Sequence, residues 1–421
     1  MCVVMTDGAR RIQRVYLTLT LLSTLSASFI WGINTLFLLD AGLSNTEAFG
    51  ANAFFTAGQV LFEIPTGVIA DTKGRRASYL LGALTLLLST LAYLLMWQVQ
   101  APFWGWAIAS AWIGLGFTFF SGAVEAWLVD GLAHYGFDGE LEKVFARGQS
   151  TAGVAMLVGS VAGGYIAQIT NLGVPYILRA VMLLMTIVVA FALMRDIGFT
   201  PHSSGGPIEE ARALLRASVN AGLRNRPVRW VMIAAPFSMG VGVYAFYAMQ
   251  PYLLELYGDE QAFGVAGLAA AIVAGAQIIG GLMVGLVRRI FSQRSHALIA
   301  GAAISTAVLL AAGWTDSFVV AITLLVVWAL TFSATTPMRQ AYLNGLIDSD
   351  QRATVLSFDA LMGSAGGVVA QPALGRMADA WSYSASYAAS AAIQVLAIPF
   401  LVLAKREDAP SDRIEAAQDD S

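Results

Sequence analysis

The sequence predicts an all-α polytopic membrane protein, twelve membrane-spanning helices arranged as two six-helix halves. Three observations lead there. The 421 residues are 57% hydrophobic and only 12% charged, about half the charged share that covers a soluble surface. Apolar runs of about 20 residues, enough to cross a bilayer, recur along the whole chain. The two halves also echo each other in sequence.

Reading apolar runs between charged or turn-rich breaks places the first six spans near 15–39, 47–70, 77–98, 102–130, 150–170 and 174–195. The second six follow near 228–254, 262–287, 295–313, 317–345, 354–378 and 382–404. This gives domains of 1–195 and 228–404, joined by 196–227 and followed by a tail of 405–421. The connection begins "TPHSSGGP", a flexible composition, and continues as a short surface helix with Ile208, Ala211, Leu214 and Leu215 on one side. The amino terminus has a basic cluster and no small-residue cleavage site after it, so the first apolar segment reads as a retained span. Cys2 is the single cysteine, which rules out an internal disulfide.

An even number of spans puts both termini on one side, and the basic residues select it. All but two of the 24 Lys and Arg residues fall in connections of one side or in the termini; the exceptions are Arg179 and Arg376. The positive-inside rule makes that side the cytoplasm. A multi-pass protein of the cytoplasmic membrane with both termini inside is the expectation. The net charge of −3 says nothing about nucleic acid, and basic residues are scarce outside loops, so no nucleic-acid partner is expected.

Internal similarity supports a duplication. "RGQSTAGVAMLVGSVAGG" from Arg147 resembles "RATVLSFDALMGSAGG" from Arg352, and "EAWLVDGL" from Glu125 resembles "RQAYLNGL" from Arg339 with Ala126 on Ala341. A degraded counterpart of Gly67–Arg76 stands at "GLMVGLVRR" from Gly281. Three echoes in the same order are more than abundant Gly and Ala produce by chance.

Between spans 2 and 3 the chain reads "GVIADTKGRR", with Gly67, Asp71, Gly74, Arg75 and Arg76. In this context, and with two repeats of six spans, the chain resembles the major facilitator superfamily, whose signature loop has the pattern G-x-x-x-D-[RK]-x-G-R-[RK]. Thr72 departs from the usual basic residue, Lys73 follows it, and the second-half copy has Gly285 in place of the aspartate. "FEIPTGVIAD", "EAWLVD" and "RATVLS" look like the drug and small-molecule exporters of that superfamily. The resemblance implies a gate. Asp71 would face the start of span 11 near Thr354, Arg75 would meet Asp130 or Glu125, and Arg76, Arg147 and Asp359 would complete the charge relay. The plainer reading of the loop is a topogenic charge cluster.

Chemistry-bearing residues are few. The three lysines lack a phosphate-loop context, no nucleophile elbow occurs, and three histidines in loops with one cysteine make no metal cluster. No cofactor or metal is expected, nor an enzyme; an ion or substrate gradient supplies the energy. Charged groups inside spans are costly and by default functional: Glu63, Glu125, Asp130, Arg179, Asp359 and Arg376. Arg179 and Arg376 lie toward the outer leaflet, where snorkelling also accounts for them. Five residues turn a helix by about 500°, so Glu125 and Asp130 face different ways. Asp130 suits pairing with Arg75 or Arg147. Glu125 lies higher, where desolvation favours its neutral form, as a proton-coupling acid needs. A lasting salt bridge with Arg147 is its plainer alternative, and Glu63 is the second coupling candidate, with a structural pairing as its own alternative. The pairs Gly159/Gly163, Gly281/Gly285 and Gly363/Gly367 read as helix-packing spacings.

In the resembled family spans 1, 4, 7 and 10 line the substrate cavity. That implies Trp31 and Asn34, then Tyr244, Tyr247 and Gln250, then Ser333 and Thr335, an aromatic and uncharged set suited to an amphipathic organic molecule. The leading function is therefore a monomeric exporter of such a compound by proton antiport. A proton-coupled importer, a non-transporting membrane protein and an integral-membrane enzyme are the competing classes, in falling order.

Overall fold

A bilayer offers no water to backbone N–H and C=O groups, so each apolar run must close its hydrogen bonds internally as a helix. The computed structural model describes residues 6–200, 222–347 and 352–414. Among them the first half forms α1 (Asp7–Trp31), α2 (Asn34–Asp40), α3 (Asn45–Lys73), α4 (Arg75–Val99), α5 (Phe103–Phe120), α6 (Ala123–His134), α7 (Leu141–Ile169) and α8 (Gly173–Leu193). The second half forms α9 (Arg226–Tyr257), α10 (Phe263–Leu282), α11 (Val284–Ile290), α12 (Arg294–Ala312), α13 (Phe318–Asn344), α14 (Arg352–Ala380), α15 (Tyr383–Val395) and α16 (Ala397–Arg406). The described residues contain no strand, only an isolated bridge between Gln293 and Arg413.

Among the described residues ten helical segments, with α5–α6 and α15–α16 each taken as one, are long and apolar enough to cross a membrane, and α1–α2, bent by 49°, makes an eleventh. The remaining long helix, α14, has 29 residues but carries Arg352, Asp359, Arg376 and Asp379. The twelve expected spans thus correspond one to one with helices or helix pairs. The expected helix around Ile208 and Leu215 lies outside the described residues.

Two compact units result. One holds the described residues up to Gly42, those from Phe54 to 200, and Ala262–Ala271; the other holds Leu43–Ala53, 222–261 and Ile272 onward. The first turns of α3 and of α10 each fall in the unit that holds most of the other half. The cause is close packing. In the first unit a Cβ on Gly164 would lie 2.6 Å from the Phe263 carbonyl oxygen, and one on Gly267 would lie 2.5 Å from that of Ser160. In the second, a Cβ on Gly375 would lie 2.8 Å from the Asn45 carbonyl oxygen. Small residues let these helices approach at the backbone.

The glycine pairs divide. A Cβ on Gly159 or Gly163 would collide with Ser28 or Phe29, so this pair seats α7 on α1. Gly363 meets Met239 and Gly366 meets Pro236, so the second-half seam uses Gly366 as well. A Cβ on Gly281 would reach Ser333 Oγ at 3.6 Å, an ordinary contact, and one on Gly285 would meet nothing within 4 Å, so this pair marks no close helix approach.

The tail is built into the second unit. Asp412, 1% exposed, accepts from the backbone N–H and the hydroxyl of Ser295, both at 2.6 Å. Arg294 donates to the carbonyls of Ser411 and Arg413, and Ser411 donates to Tyr342 O at 2.8 Å.

Candidate functional site

The signature loop is a one-residue joint. Gly74 alone separates α3 from α4, at φ +100, a region that disfavours side chains. A Cβ there would stand 2.3 Å from an Asp196 carboxylate oxygen. That carboxylate accepts from the Arg76 N–H at 2.9 Å, while the Arg76 guanidinium donates to Phe191 O at 2.8 Å and lies 5.1 Å from the Phe191 ring. Trp127 of α6 donates to Arg195 O at 2.7 Å. Loop, α6 and the end of α8 therefore form one locked corner. The sequence reading missed Asp196, which sits 120 residues from its partner with no motif to announce it. Gly67 is exposed and has nothing close to a would-be Cβ.

Arg75 pairs with Asp71 at 2.6 Å, four residues back across the Gly74 joint. The expected pairing of Arg75 with Asp130 or Glu125 is not formed, because the shorter path to Asp71 satisfies it. Asp130 and Arg147 take part in no ion pair among the described residues, and Arg147 is exposed.

Span 4 is broken. Between α5 and α6 stand Ser121 and Gly122, the latter at φ +67. Ser121 donates to a Glu63 carboxylate oxygen at 2.8 Å, so Glu63 marks the break. Glu125 occupies the first turn of α6, where a negative charge meets the positive end of the helix dipole. The lasting salt bridge between Glu125 and Arg147 is absent among the described residues. The structure thus gathers both acidic candidates, on neighbouring spans of one unit, around a helix discontinuity.

Asp359 differs from expectation. It is 5% exposed and held by both terminal nitrogens of Arg339, whose Nη2 also donates to Val231 O at 3.3 Å. Arg339, read from sequence as a topogenic charge, is an interior residue. Arg179 also departs from the snorkelling reading: it is 2% exposed and its Nε donates to Thr90 Oγ1 at 2.9 Å. Arg376 is exposed.

Among the expected substrate residues, several are committed to packing. Tyr244 is fully buried, donates to Ser386 Oγ at 2.6 Å and lies against Phe49 with 4.7 Å between ring centroids. Asn34 accepts from Tyr176 at 3.0 Å, and Ser333 donates to Gln277 O at 2.5 Å. Gln250 is 1% exposed, whereas Trp31 and Tyr247 are partly open. Thr335 lines a cavity inside the second unit. The described residues hold no cluster of three or more His, Cys, Asp or Glu placed for a metal.

The family model of the Major Facilitator Superfamily matches residues 16–291 and 260–420. The chain belongs to this superfamily. Solved structures agree on the fold. A nucleoside transporter, NupG, superposes with TM-score 0.75 at 9% identity, over 94% of this chain and 99% of its own. A bacterial homolog of the human lysosomal transporter Spinster gives 0.70 at 17% identity, over 98% and 100%. A D-xylose-proton symporter gives 0.70 at 17% identity, over 94% and 97%. No curated protein sequence matches the chain. As a superfamily member it is a transporter of small molecules in a membrane, with transport in place of enzymatic turnover.

Proposed function

We propose that this superfamily member exports a small amphipathic organic compound across the cytoplasmic membrane in exchange for protons, by alternating access and as a monomer. The observation that carries the reading is the break in span 4, with Glu63 bound to Ser121 on one side of it and Glu125 opening α6 on the other. An acid beside a helix break titrates where small backbone movements change its surroundings, which is what coupling a proton to a conformational change requires. Glu125 is the first coupling acid and Glu63 the second. Asp71, Arg75, Arg76 and Gly74 form the gate on the basic side, which faces the cytoplasm. Trp31, Tyr247 and Thr335 contact the substrate, and the neutral character of this set favours an uncharged or amphipathic cargo.

Growth of deletion and overexpression strains on a panel of toxic amphipathic compounds tests the direction. Resistance that rises with expression supports export, and sensitivity that rises with it establishes import instead. In proteoliposomes loaded with the compound so identified, Glu125→Gln is expected to abolish accumulation driven by a pH gradient while substrate exchange persists. Unchanged gradient-driven accumulation by that variant moves the coupling role to Glu63.

A further inference from the structure

Inside the second unit, walled by α9, α12, α13, α15 and α16, lies a cavity of about 60 Å³. At roughly 15 Å³ for each water centre it holds about four waters, the bulk of an organic molecule of about five non-hydrogen atoms. Every residue that lines it belongs to the second unit. Two of its walls, spans 9 and 12, lie outside the set that lines the superfamily's substrate cavity. The face of α12 that carries Leu298, Gly301, Ala302 and Ser305, spaced by three and four residues, turns into this space. A Cβ on Gly301 would lie 2.5 Å from Thr335 Cγ2, so the glycine gives Thr335 its place in the wall.

Hydroxyls inside a helix commonly spend their proton on a carbonyl one turn back. Thr306 does so on Ala302 O, Thr335 on Thr331 O and Phe332 O, and Thr336 on Phe332 O. Ser305 does not. It is 5% exposed, its hydroxyl makes no hydrogen bond to another described residue, and its oxygen is not sealed off from water. Ser238 accepts from the Gln394 amide at 3.4 Å and donates to no described residue. The two serines therefore hold two unspent protons, and Gln394 a second amide N–H. On the α13 wall Thr335 and Thr336 keep lone pairs to accept with, as does the Gln394 amide oxygen. Arg339, the one charged residue of the wall, already gives both terminal nitrogens to Asp359, so no unmet charge faces the cavity. Buried donors without acceptors are costly, and this wall needs an occupant to match it.

We propose that this cavity is a binding site for a small uncharged molecule, or for the uncharged end of a larger one, bearing a donor beside an acceptor: a carboxamide or an alcohol. Its oxygen accepts from Ser305, with Ser238 and the Gln394 N–H as further donors. Its own N–H or O–H donates to a threonine hydroxyl of α13 or to the Gln394 amide oxygen. The alkyl part rests on Leu298, Phe332 and Leu401. A carboxylate could use only the donors and an ammonium only the acceptors. Either would leave part of the wall unmet and bury a charge without a counter-ion. The site depends neither on proton coupling nor on the direction of transport.

Saturation-transfer NMR of the full-length protein in lipid nanodiscs, titrated with propionamide, tests the site without a known cargo. Propionamide is expected to give a saturable signal, with propionate and propylammonium binding at least about tenfold more weakly. Ser305→Ala removes one donor and crowds nothing, so it should weaken propionamide about fivefold, the worth of one hydrogen bond. Ala302→Leu fills the space and should abolish the saturable signal while the protein still melts cooperatively. If that variant unfolds, the Ser305→Ala shift decides alone. No saturable signal, or a titration that Ser305→Ala leaves unchanged, would leave the cavity to water and overturn the inference. Propionate binding as tightly as propionamide would make Arg339 an anion seat and overturn it equally. Displacement of propionamide by an exported compound found in the growth assays would make this the seat of the cargo's polar end. Binding of both together would make it a site for a separate small molecule, and either result upholds the site.

Discussion

Gly74 shows how little latitude one position leaves at the turn between α3 and α4. Its φ of +100 disfavours any L side chain, and Asp196 occupies the place a Cβ would take. Gly74→Ala must pay the backbone strain, about 1–3 kcal/mol, and also displace the carboxylate that holds the Arg76 N–H. The variant is expected to lower the thermal unfolding temperature in detergent by several degrees. Asp196→Asn keeps the shape and loses only charge, so it should cost less than half as much in the same assay. Equal unfolding temperatures for wild type and Gly74→Ala would show that the turn relaxes without penalty. The sequence pattern pointed to Gly74 and the arginines, because their spacing is local. It could not point to Asp196, whose role depends on a fold that brings position 196 to position 76.

Hydropathy made the helices legible as elements, since twenty apolar residues must become a helix in lipid whatever they pack against. It did not reveal their interruptions. The window sum through span 4 is the same with or without a break at Gly122, and Ser121 gained meaning only when its hydroxyl was seen on Glu63. The tail shows the same blindness. Residues 408–414 are polar and read as a loose end, yet Asp412 closes the start of α12 and Ser411 binds the end of α13. A charged acceptor with two such bonds contributes on the order of 1.5–3 kcal/mol at each. A chain ended after Asp408 should therefore unfold at a clearly lower temperature than one ended after Ile414, which keeps every described contact of the strap. Identical melting curves for the two truncations would reduce the strap to an incidental contact.

At the scale of the whole molecule, the duplication was readable because each half repeats the same order of motifs, and the charge of the loops was readable because it does not depend on packing. The composition of the compact units was not. The start of α3 lies in the first half of the sequence, whereas Leu43–Ala53, which contains its first turns, packs in the second unit. The anchoring contacts there are specific. The Asp379 carboxylate accepts from the N–H of Asn45 at 2.9 Å, from the N–H of Thr46 at 2.8 Å and from the Thr46 hydroxyl at 2.5 Å. Tyr383 donates to the Asn45 side chain, and Phe49 packs on Tyr244. Asp379 thereby acts as a helix cap delivered from another span, satisfying N–H groups that the first turn of α3 leaves open. A transporter that alternates between states must make and break packing at helix ends, and a contact present in one state biases the equilibrium by its own free energy. Replacing such a cap costs about 1–2 kcal/mol, and 1.4 kcal/mol is about tenfold in a population. In a Cys2→Ser background, Ala48→Cys introduces a thiol at a fully buried position of α3. Adding Asp379→Ala to that chain is expected to raise the labelling rate of the thiol by a water-soluble maleimide about tenfold, with expression nearly unchanged and the melting temperature a few degrees lower. Labelling equally slow with and without Asp379 would mean that the apolar contact of Phe49 with Tyr244 holds the start of α3 by itself.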